Sequence, residues 1–499
     1  MSWDRALLLF VLIFVGRWAV KVIYNLYFHP LSKIPGPRIA AMSNVSYTLF
    51  KAGNTSGIAQ LTSDARGNHA GSAVRVGPDE VSFNSAQSFR DIYGARRPGQ
   101  KPFRKSSFYS GGSFADEHGR SSIISETDPE VHKRMRADLA GAFSDRSIHE
   151  QEHIVNASID KLVRLVGARG ARDSAPAGVD ITAAFDALTF DITGDLAFGE
   201  PFGALDNGKY LRATYGLGFE ILNVLLRYPK VARIVSVLFR RRIEKLTEDA
   251  RANERYSYET VRRRITRKTG RPDFLTRILE DRDPEVVTDR QIGAHVSDLV
   301  IAGSDTVATG LSCIVYYLLK NPPILSRLTD EVRSAFQSYS GITYLSTAPL
   351  PYLRAVILEG LRIYPPAPFG LPRVAPEGGD IVDGHFIPEG VIVSTNPLAA
   401  TLSSANFHDP FSFKPGRWVE PNKEDNLEAS QPWSLGPRGC MGRNLAWLEL
   451  RITLAKLIWV YDLRFADSLL DWHAEARMHV MWKKLPLMVH AENRGVTLD

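Results

Sequence analysis

Only two cysteines occur in the 499 residues, Cys313 and Cys440, so any cysteine chemistry rests on a single sulfur. A disulfide framework and a zinc site of several thiolates are excluded. Cys440 lies in Trp433-Ser-Leu-Gly-Pro-Arg-Gly-Cys-Met-Gly442, which runs directly into RNLAWLELRITLAKLIWVYDL. That spacing puts the sulfur at or just before a helix N-terminus, where unpaired amides and the helix dipole favour a thiolate. Gly436, Gly439 and Gly442 permit tight turns and a close approach of backbone to a flat partner. Arg438, two residues from the sulfur, offers a fixed positive charge suited to a carboxylate. A lone intracellular cysteine is more often a small buried hydrophobe. Three glycines, an arginine and a following helix around one sulfur favour chemistry instead.

A second group, Ala302-Gly303-Ser304-Asp305-Thr306, falls inside a long apolar stretch. On a helix Ala302 and Thr306 share a face with Gly303 beside them. A flat cofactor could lie against these small residues, with the Thr306 hydroxyl above it and the Asp305 acid next door. The same pattern suits a helix crossing, with Asp305 in solvent. Glu359 and Arg362 share another helical face; as an exposed pair they would contribute only ~0.2–0.5 kcal/mol. His132 and Arg136 also lie one turn apart. Arg373 follows in GLPRV and Arg417 in FKPGRW.

Together these residues resemble the cytochrome P450 family. The Cys440 loop is similar to its haem-ligand signature, Phe-x-x-Gly-x-Arg-x-Cys-x-Gly, with Trp433 in place of Phe. An aromatic of that shape should still shield the sulfur. Ala302 to Thr306 matches the family's distal-helix pattern, Ala/Gly-Gly-x-Asp/Glu-Thr. LPYLRAVILEGLRIYPPAPFGLPR is close to the family's sequence around Glu-x-x-Arg, and Arg417 corresponds to the arginine that completes a Glu-Arg-Arg cluster locking the cysteine loop. Gly416 stands where the family usually has Glu. His132 and Arg136 take the place of Trp-x-x-x-Arg, which contacts a haem propionate, and Arg373 and Arg438 resemble two further propionate-binding arginines. The motifs come in family order, and the resemblance runs from Phe28 to Val489. It implies a mainly α fold with a small β-sheet part, and a haem (iron protoporphyrin IX) whose metal ligand is Cys440. Cofactor contacts would come from Arg438, His132, Arg136, Arg373, Ala302, Gly303, Trp433 and Gly442, with Asp305 and Thr306 catalytic.

Periodicity and punctuation predict the elements that position these groups. Residues 129–165 read as successive helices, and 179–265 largely as helices, with basic runs near Arg240 and Arg262 on solvated faces. The segment 268–288 reads as surface loop and short helix. Thr288 and Gln291 make a capping box and Asn321-Pro322-Pro323 a stop. A helix of roughly thirty residues therefore carries Ala302 to Thr306 and could cross most of the molecule. Another helix spans 348–363. From Ala367 to Asn396, Gly370, Gly378, Gly379, Gly384 and Gly390 separate short β-like runs such as VIVST. Pro432 to Gly442 is a loop, and Arg443 to Asp462 an amphipathic helix.

The composition, 44% hydrophobic and 23% charged, is that of a globular chain. The net charge of +6 is spread along the sequence and suits an acidic protein or anionic lipid; no nucleic-acid motif is present. Ala6 to Gly16 form an apolar run shorter than the ~20 residues that span a bilayer comfortably. Beyond it Arg17 and Lys21 can snorkel, and Trp18, Tyr24 and Tyr27 suit a headgroup layer. A cleaved signal peptide is the rival, but Gly16 to Tyr27 holds no small-residue cleavage site. Residues 1–28 are therefore read as a retained membrane anchor and 29–499 as the catalytic haem domain. Pro30, Pro35 and Pro37 predict a stiff, extended connector between them. Asn44, Asn54 and Asn156 begin Asn-x-Ser/Thr triplets, chance matches if the body faces the cytosol.

The function implied by the resemblance is a haem-thiolate monooxygenase that oxidises a small apolar molecule with O2. Electrons would come from NADPH through a separate reductase, because no flavin or nicotinamide signature is evident. An axial thiolate favours O–O cleavage, and Thr306, Asp305 and ordered water are candidates to deliver protons. The pocket should draw on Ala302, Thr306, Phe369, Gly370, Leu371 and Lys484 to Met488, a largely apolar set. Lys414, Arg443 and Arg451 are candidates for reductase docking. The anchor and loop style resemble fungal secondary-metabolism members, with the body on the cytosolic side of the endoplasmic reticulum. A haem-thiolate isomerase or dehydratase needing no O2 is an alternative, though such relatives tend to lack the acid–alcohol pair. A non-catalytic membrane haem sensor is another.

Overall fold

A computed structural model describes residues 3–43, 71–109, 121–170, 178–207, 271–280, 287–466, 471–478 and 481–498, with a few more between 237 and 285. Helices dominate. Those that matter for the site are α1 (Trp3–Ile23), α2 (Pro129–Ala140), α3 (Asp145–Gly170), α4 (Ile181–Phe198), α5 (Asp289–Lys320), α6 (Pro351–Ile363) and α7 (Arg443–Val460). Of the helices expected between 179 and 265, the stretch 208–236 lies outside the described residues, as do Asn44 and Asn54. The short helix expected near 268–288 is Phe274–Glu280.

The 32 residues of α5 make it the axis of the fold. Thr288 caps it by accepting from the Gln291 amide at 3.3 Å, but the return half of the capping box is absent. The Gln291 side chain instead donates to the Ser121 carbonyl at 2.6 Å, stitching the helix start to the segment before α2. Asn321 and the prolines after it end the helix, since proline cannot continue the hydrogen-bond ladder. Among the described residues α5 is the helix apolar and long enough to cross a membrane by composition, yet 56% of its apolar window is buried in the protein. It is a core helix.

Its closest neighbour is α4, whose residues are buried on nearly every side. α7 was expected to be amphipathic; from Leu445 to Val460 every residue except Ala446 and Arg451 is buried. The reason is that α3, α5 and α6 all pack against it, so its polar residues need internal partners. Lys456 finds Asp160 at 2.6 Å and the Asn156 amide oxygen at 3.0 Å. That engagement fits Asn156 being a chance match to a glycosylation triplet.

The β part is larger than the sequence reading of 367–396. A five-stranded sheet has the order β1 (Ala73–Gly77), β2 (Glu80–Phe83), β6 (Ile392–Thr395), β5 (Arg373–Val374), β3 (Arg104–Lys105). β2 and β6 are parallel, with Val81 opposite Val393. The sequence reading missed the β1–β2 hairpin, whose signal is AVRVGPDEVSF, where a Gly-Pro-Asp turn separates two apolar alternations. A second sheet joins β4 (Val179–Asp180), β8 (Met488–Asn493) and β7 (Tyr461–Phe465) in that order.

The N-terminal helix α1 holds Leu8, Leu9, Leu12, Ile13 and Phe14 out to solvent, each more than half exposed. Its root is fixed to the sheet. Buried Arg75 of β1 donates to the Asn25 carbonyl at 2.8 Å, and the Arg75 amide donates to the Pro35 carbonyl at 2.7 Å. Gly36 is required there, because a Cβ would lie 2.3 Å from the Arg75 carbonyl oxygen. The proline connector thus runs pinned along β1, partly as a 3-10 turn at Pro30–Lys33.

Candidate active site

Cys440 sits between a 3-10 turn, Gly436–Arg438, and the start of α7. Its amide donates to the Trp433 carbonyl at 2.8 Å, closing the loop. Gly436 has φ +68° and a Cβ there would meet the Tyr93 carbonyl oxygen at 2.1 Å, so only glycine fits. A Cβ on Gly442 would meet nothing within 4 Å, which leaves room beside the sulfur for a flat group. The Trp433 ring packs on Trp447 of α7, centroids 5.1 Å apart, with Arg443 over it. The sulfur is exposed by surface area yet surrounded by protein, so it faces inward space and not bulk water. Burial pushes its thiol up, and the Gly442 amide, Arg136 and Arg443 offset this only in part. The Gly442 amide at the helix start favours the thiolate without outweighing burial. A coordinating metal would outweigh it, since a thiol bound to one is deprotonated outright.

The predicted propionate-binding residues converge. Arg438 donates to the Glu126 carbonyl at 2.7 Å and the Thr127 carbonyl at 3.1 Å. Arg136 donates to the Gly439 carbonyl at 2.8 Å, tying α2 to the cysteine loop. Arg373 donates to the Tyr109 hydroxyl at 3.1 Å and stacks near the Tyr93 ring. Lys105, unmarked by any motif, joins them from β3 and donates to the Ile123 and Ile124 carbonyls. Buried His132 stands among all four; burial first, then Arg438, Lys105, Arg136 and Arg373, hold it down to about 3. Burial and the neighbouring guanidiniums likewise hold Lys105 well below its ordinary value. Nearby Glu126 and Asp128 do not neutralise the group directly. Glu126 accepts from the Asp128 amide at 2.6 Å, and Asp128 caps α2 through the Glu130 and Val131 amides. Glu126, Asp128 and Asp298 offset part of this charge through space, and the cation-rich cluster suits an anion.

Glu359, Arg362 and Arg417 are brought together in the interior, not on an exposed face. Arg362 is fully buried and meets Glu359 with two bonds of 2.9 and 2.8 Å. Its remaining donors hold the Thr401 and Pro410 carbonyls at 2.8 Å and the Ser412 carbonyl at 3.1 Å. Arg417 reaches Glu359 at 3.2 Å, and the Lys414 amide and Trp418 ring N–H also donate to Glu359. Gly416 lacks a carboxylate, but Asp425 supplies one to Arg417 at 2.6 Å. This cluster fixes the chain from Thr401 to Trp418, upstream of the cysteine loop.

On α5, Ala302 is exposed and Thr306 half-buried, its hydroxyl donating to the Ala302 carbonyl at 2.8 Å. Gly303 answers a helix crossing instead: a Cβ would strike Thr193 of α4 at 2.5 Å. Asp305 is not simply solvated, because Lys484 holds it at 2.7 Å. The segment Lys484 to Met488 therefore brings a buried ammonium where an apolar wall was expected. Phe369 faces Phe108 with centroids 6.2 Å apart. Gly370 backs onto Ser394 of β6, where a Cβ would lie 2.5 Å from the hydroxyl, and Leu371 packs on the sheet-side core while its carbonyl accepts from Tyr93. Of the docking candidates, Arg443 is exposed, Lys414 is paired with Asp409, and Arg451 stacks on Trp447 and Tyr344.

The family model for cytochrome P450 matches residues 99–490, which include every one of these groups. The cytochrome P450 monooxygenase ORF11 of Penicillium roqueforti is 46% identical over 448 residues, 89% of this chain and 91% of that protein. The cytochrome P450 monooxygenase BipB of Cochliobolus sativus is 39% identical over 461 residues, 90% of this chain and 89% of its own length. The cytochrome P450 monooxygenase astJ of Aspergillus oryzae is 36% identical over 488 residues, 96% and 95% of the two chains. A lone inward-facing cysteine, a cation-rich cluster and near full-length likeness agree: this chain belongs to the cytochrome P450 family.

Proposed function

We propose that this chain is a haem-thiolate monooxygenase, anchored in a membrane by residues 1–28, that oxidises a small apolar metabolite using O2 and NADPH electrons from a separate reductase. The observation that carries the reading is the inward-facing Cys440, joined through Arg136 and the Gly439 carbonyl to the cation cluster. Those residues fit a haem. One thiol stands ready as a metal ligand, and Arg438, Arg373, Arg136 and Lys105 spend their donors on neutral oxygens while repelling one another. The two propionates of a haem would supply further negative charge to this group. When bound, the haem with its thiolate ligand supplies the oxygen-activating chemistry.

The chain's own residues do the rest. The cluster around Glu359 fixes the chain from Thr401 to Trp418, which leads toward the loop that carries the sulfur. Trp433 and Trp447 limit water at the sulfur side. Thr306 presents a hydroxyl oxygen on α5, its proton directed to the Ala302 carbonyl, so that it can accept from and order a water. Asp305 places a carboxyl group one residue away, held by Lys484. Phe369, with Phe108, offers apolar surface to the substrate. Arg443 and Lys414 are the exposed cations of the reductase-docking set, Lys414 paired with Asp409. The long connector, the anchor and likeness to fungal relatives support a role in fungal secondary metabolism, with the body on the cytosolic face of the endoplasmic reticulum.

The test is turnover of apolar metabolites by the membrane-bound chain with reductase. Product formation is expected to need both O2 and NADPH. Product formed without either would replace this reading with an isomerase or dehydratase.

A further inference from the structure

Lys484 lies on the segment leading into β8, and its side chain is 3% exposed. Its ammonium has three acceptors for three N–H groups: Asp186 of α4 at 2.6 Å, Asp305 at 2.7 Å and Thr309 at 3.2 Å. Asp305 and Thr309 are one turn apart on α5, so Lys484 braces the helix face next to Thr306. One positive charge is shared between two carboxylates, which leaves the group with an excess negative charge. The two acids differ in access: the Asp186 side chain is 10% exposed and that of Asp305 is 35%. Water can therefore bring a proton to Asp305 more readily than to Asp186.

We propose that Lys484 is a positioning residue for proton delivery: it holds the Asp305 carboxylate in place, and its division between Asp305 and Asp186 sets how readily Asp305 takes up and passes on a proton. This rests on the reading of Asp305 and Thr306 as the acid–alcohol pair. In each pass Asp305 takes one proton from water and releases one toward the Thr306 hydroxyl, ending as the carboxylate it began. The segment from Lys484 also carries Leu485 to Leu487, close to the expected substrate wall. A substrate that shifts this segment would change which acid Lys484 favours, so proton supply would respond to occupancy.

Tyr364, whose buried hydroxyl follows α6, also bears on Asp305, while Asp180 at the head of α4 accepts from the Leu487 amide at 3.2 Å and fixes the segment that carries Lys484. The two carboxylates outweigh burial and hold Lys484 above its ordinary value, so the clamp stays charged through the working range.

The experiment follows NADPH oxidation and hydrogen peroxide release against pH, for the full chain with its reductase and no added substrate. Lys484→Met removes the cation, raises the proton affinity of Asp305 and is expected to move the pH profile upward by about one unit or more. Asp186→Asn leaves Lys484 to Asp305 alone and is expected to move it downward. Lys484→Arg keeps the charge and should keep the wild-type profile. Infrared difference spectra give a second readout: on acidification Lys484→Met should show a protonated carboxyl band at higher pH than wild type does, and Lys484→Met/Asp305→Asn should lack it. If Lys484→Met does not fold, the downward shift in Asp186→Asn decides. Profiles that do not move, or move the same way in both variants, overturn the proposal and leave a structural ion pair. Thr306→Ala separates the two levels. It should raise peroxide released per NADPH; if it does not, the acid–alcohol reading itself fails, whatever Lys484 does.

Discussion

At the scale of single residues, Asp298 is the group whose titration reports most directly on packing. It is one turn before Ala302 on α5, buried, and accepts from the Ile124 amide at 3.2 Å. Burial pushes its carboxyl up to about 6, which the Ser122 hydroxyl, the Ile124 amide and Lys105 offset only partly. The folded state thus keeps a proton that the unfolded chain releases near 4. Stability from this group is present below that unfolded value and is lost as pH rises toward 6, by on the order of 3 kcal/mol at most. Asp298→Asn cannot titrate, so its melting temperature relative to wild type should rise between pH 4.5 and pH 7. A constant difference would mean that Asp298 is already ionised. Residue types with a steric or motif signature were legible in the sequence: Cys440, Arg438, Arg136, Arg373, Thr306. Lys105 and Lys484 were not, because an isolated lysine shows its burial only when distant carbonyls and carboxylates fold around it.

At the scale of elements, the Glu359 cluster shows how little a spacing says about its energy. Glu-x-x-Arg on a helix reads as a weak surface pair, yet here both side chains are wholly buried. Arg362→Ala would take two of the five donor bonds from Glu359, leaving Arg417 as its cation, and leave the Thr401, Pro410 and Ser412 carbonyls without their donor. Loss of a buried partner costs about 3–5 kcal/mol, and the expected outcome is a marked fall in denaturation midpoint with little haem-loaded protein recovered. A change below roughly 1 kcal/mol would show that water reaches Glu359. Elements with long apolar stretches or clear caps and stops were readable, α5 foremost. α7 was misread because its few polar residues, such as Lys456 and Glu449, look like a solvated face until α3 and α5 cover them. Gly303 left two readings open for a related reason: small residues serve a helix crossing and a flat ligand equally, and the close approach of Thr193 of α4 shows the crossing.

At the scale of the whole molecule, the N-terminal helix is joined to the body by a specific contact. Removing residues 1–23 keeps Asn25 and its carbonyl bond from Arg75; removing residues 1–28 takes both away. Both truncations should release the chain from membranes in a sedimentation assay. Only the longer one should also lower stability, by about 1–3 kcal/mol, since it strands a buried guanidinium donor. Equal stability of the two would mean that Arg75 finds its partners within β1 alone. This seat was not visible in the sequence, where the proline-rich connector reads as a stiff spacer and nothing marks Arg75 as its anchor point.

The central claim is that one sulfur, Cys440, binds haem iron as a thiolate, and the most direct measurement is the absorption spectrum of the reduced protein with carbon monoxide. The account predicts the long-wavelength band typical of thiolate ligation, and its loss in Cys440→Ala. The same band persisting in that variant would contradict it.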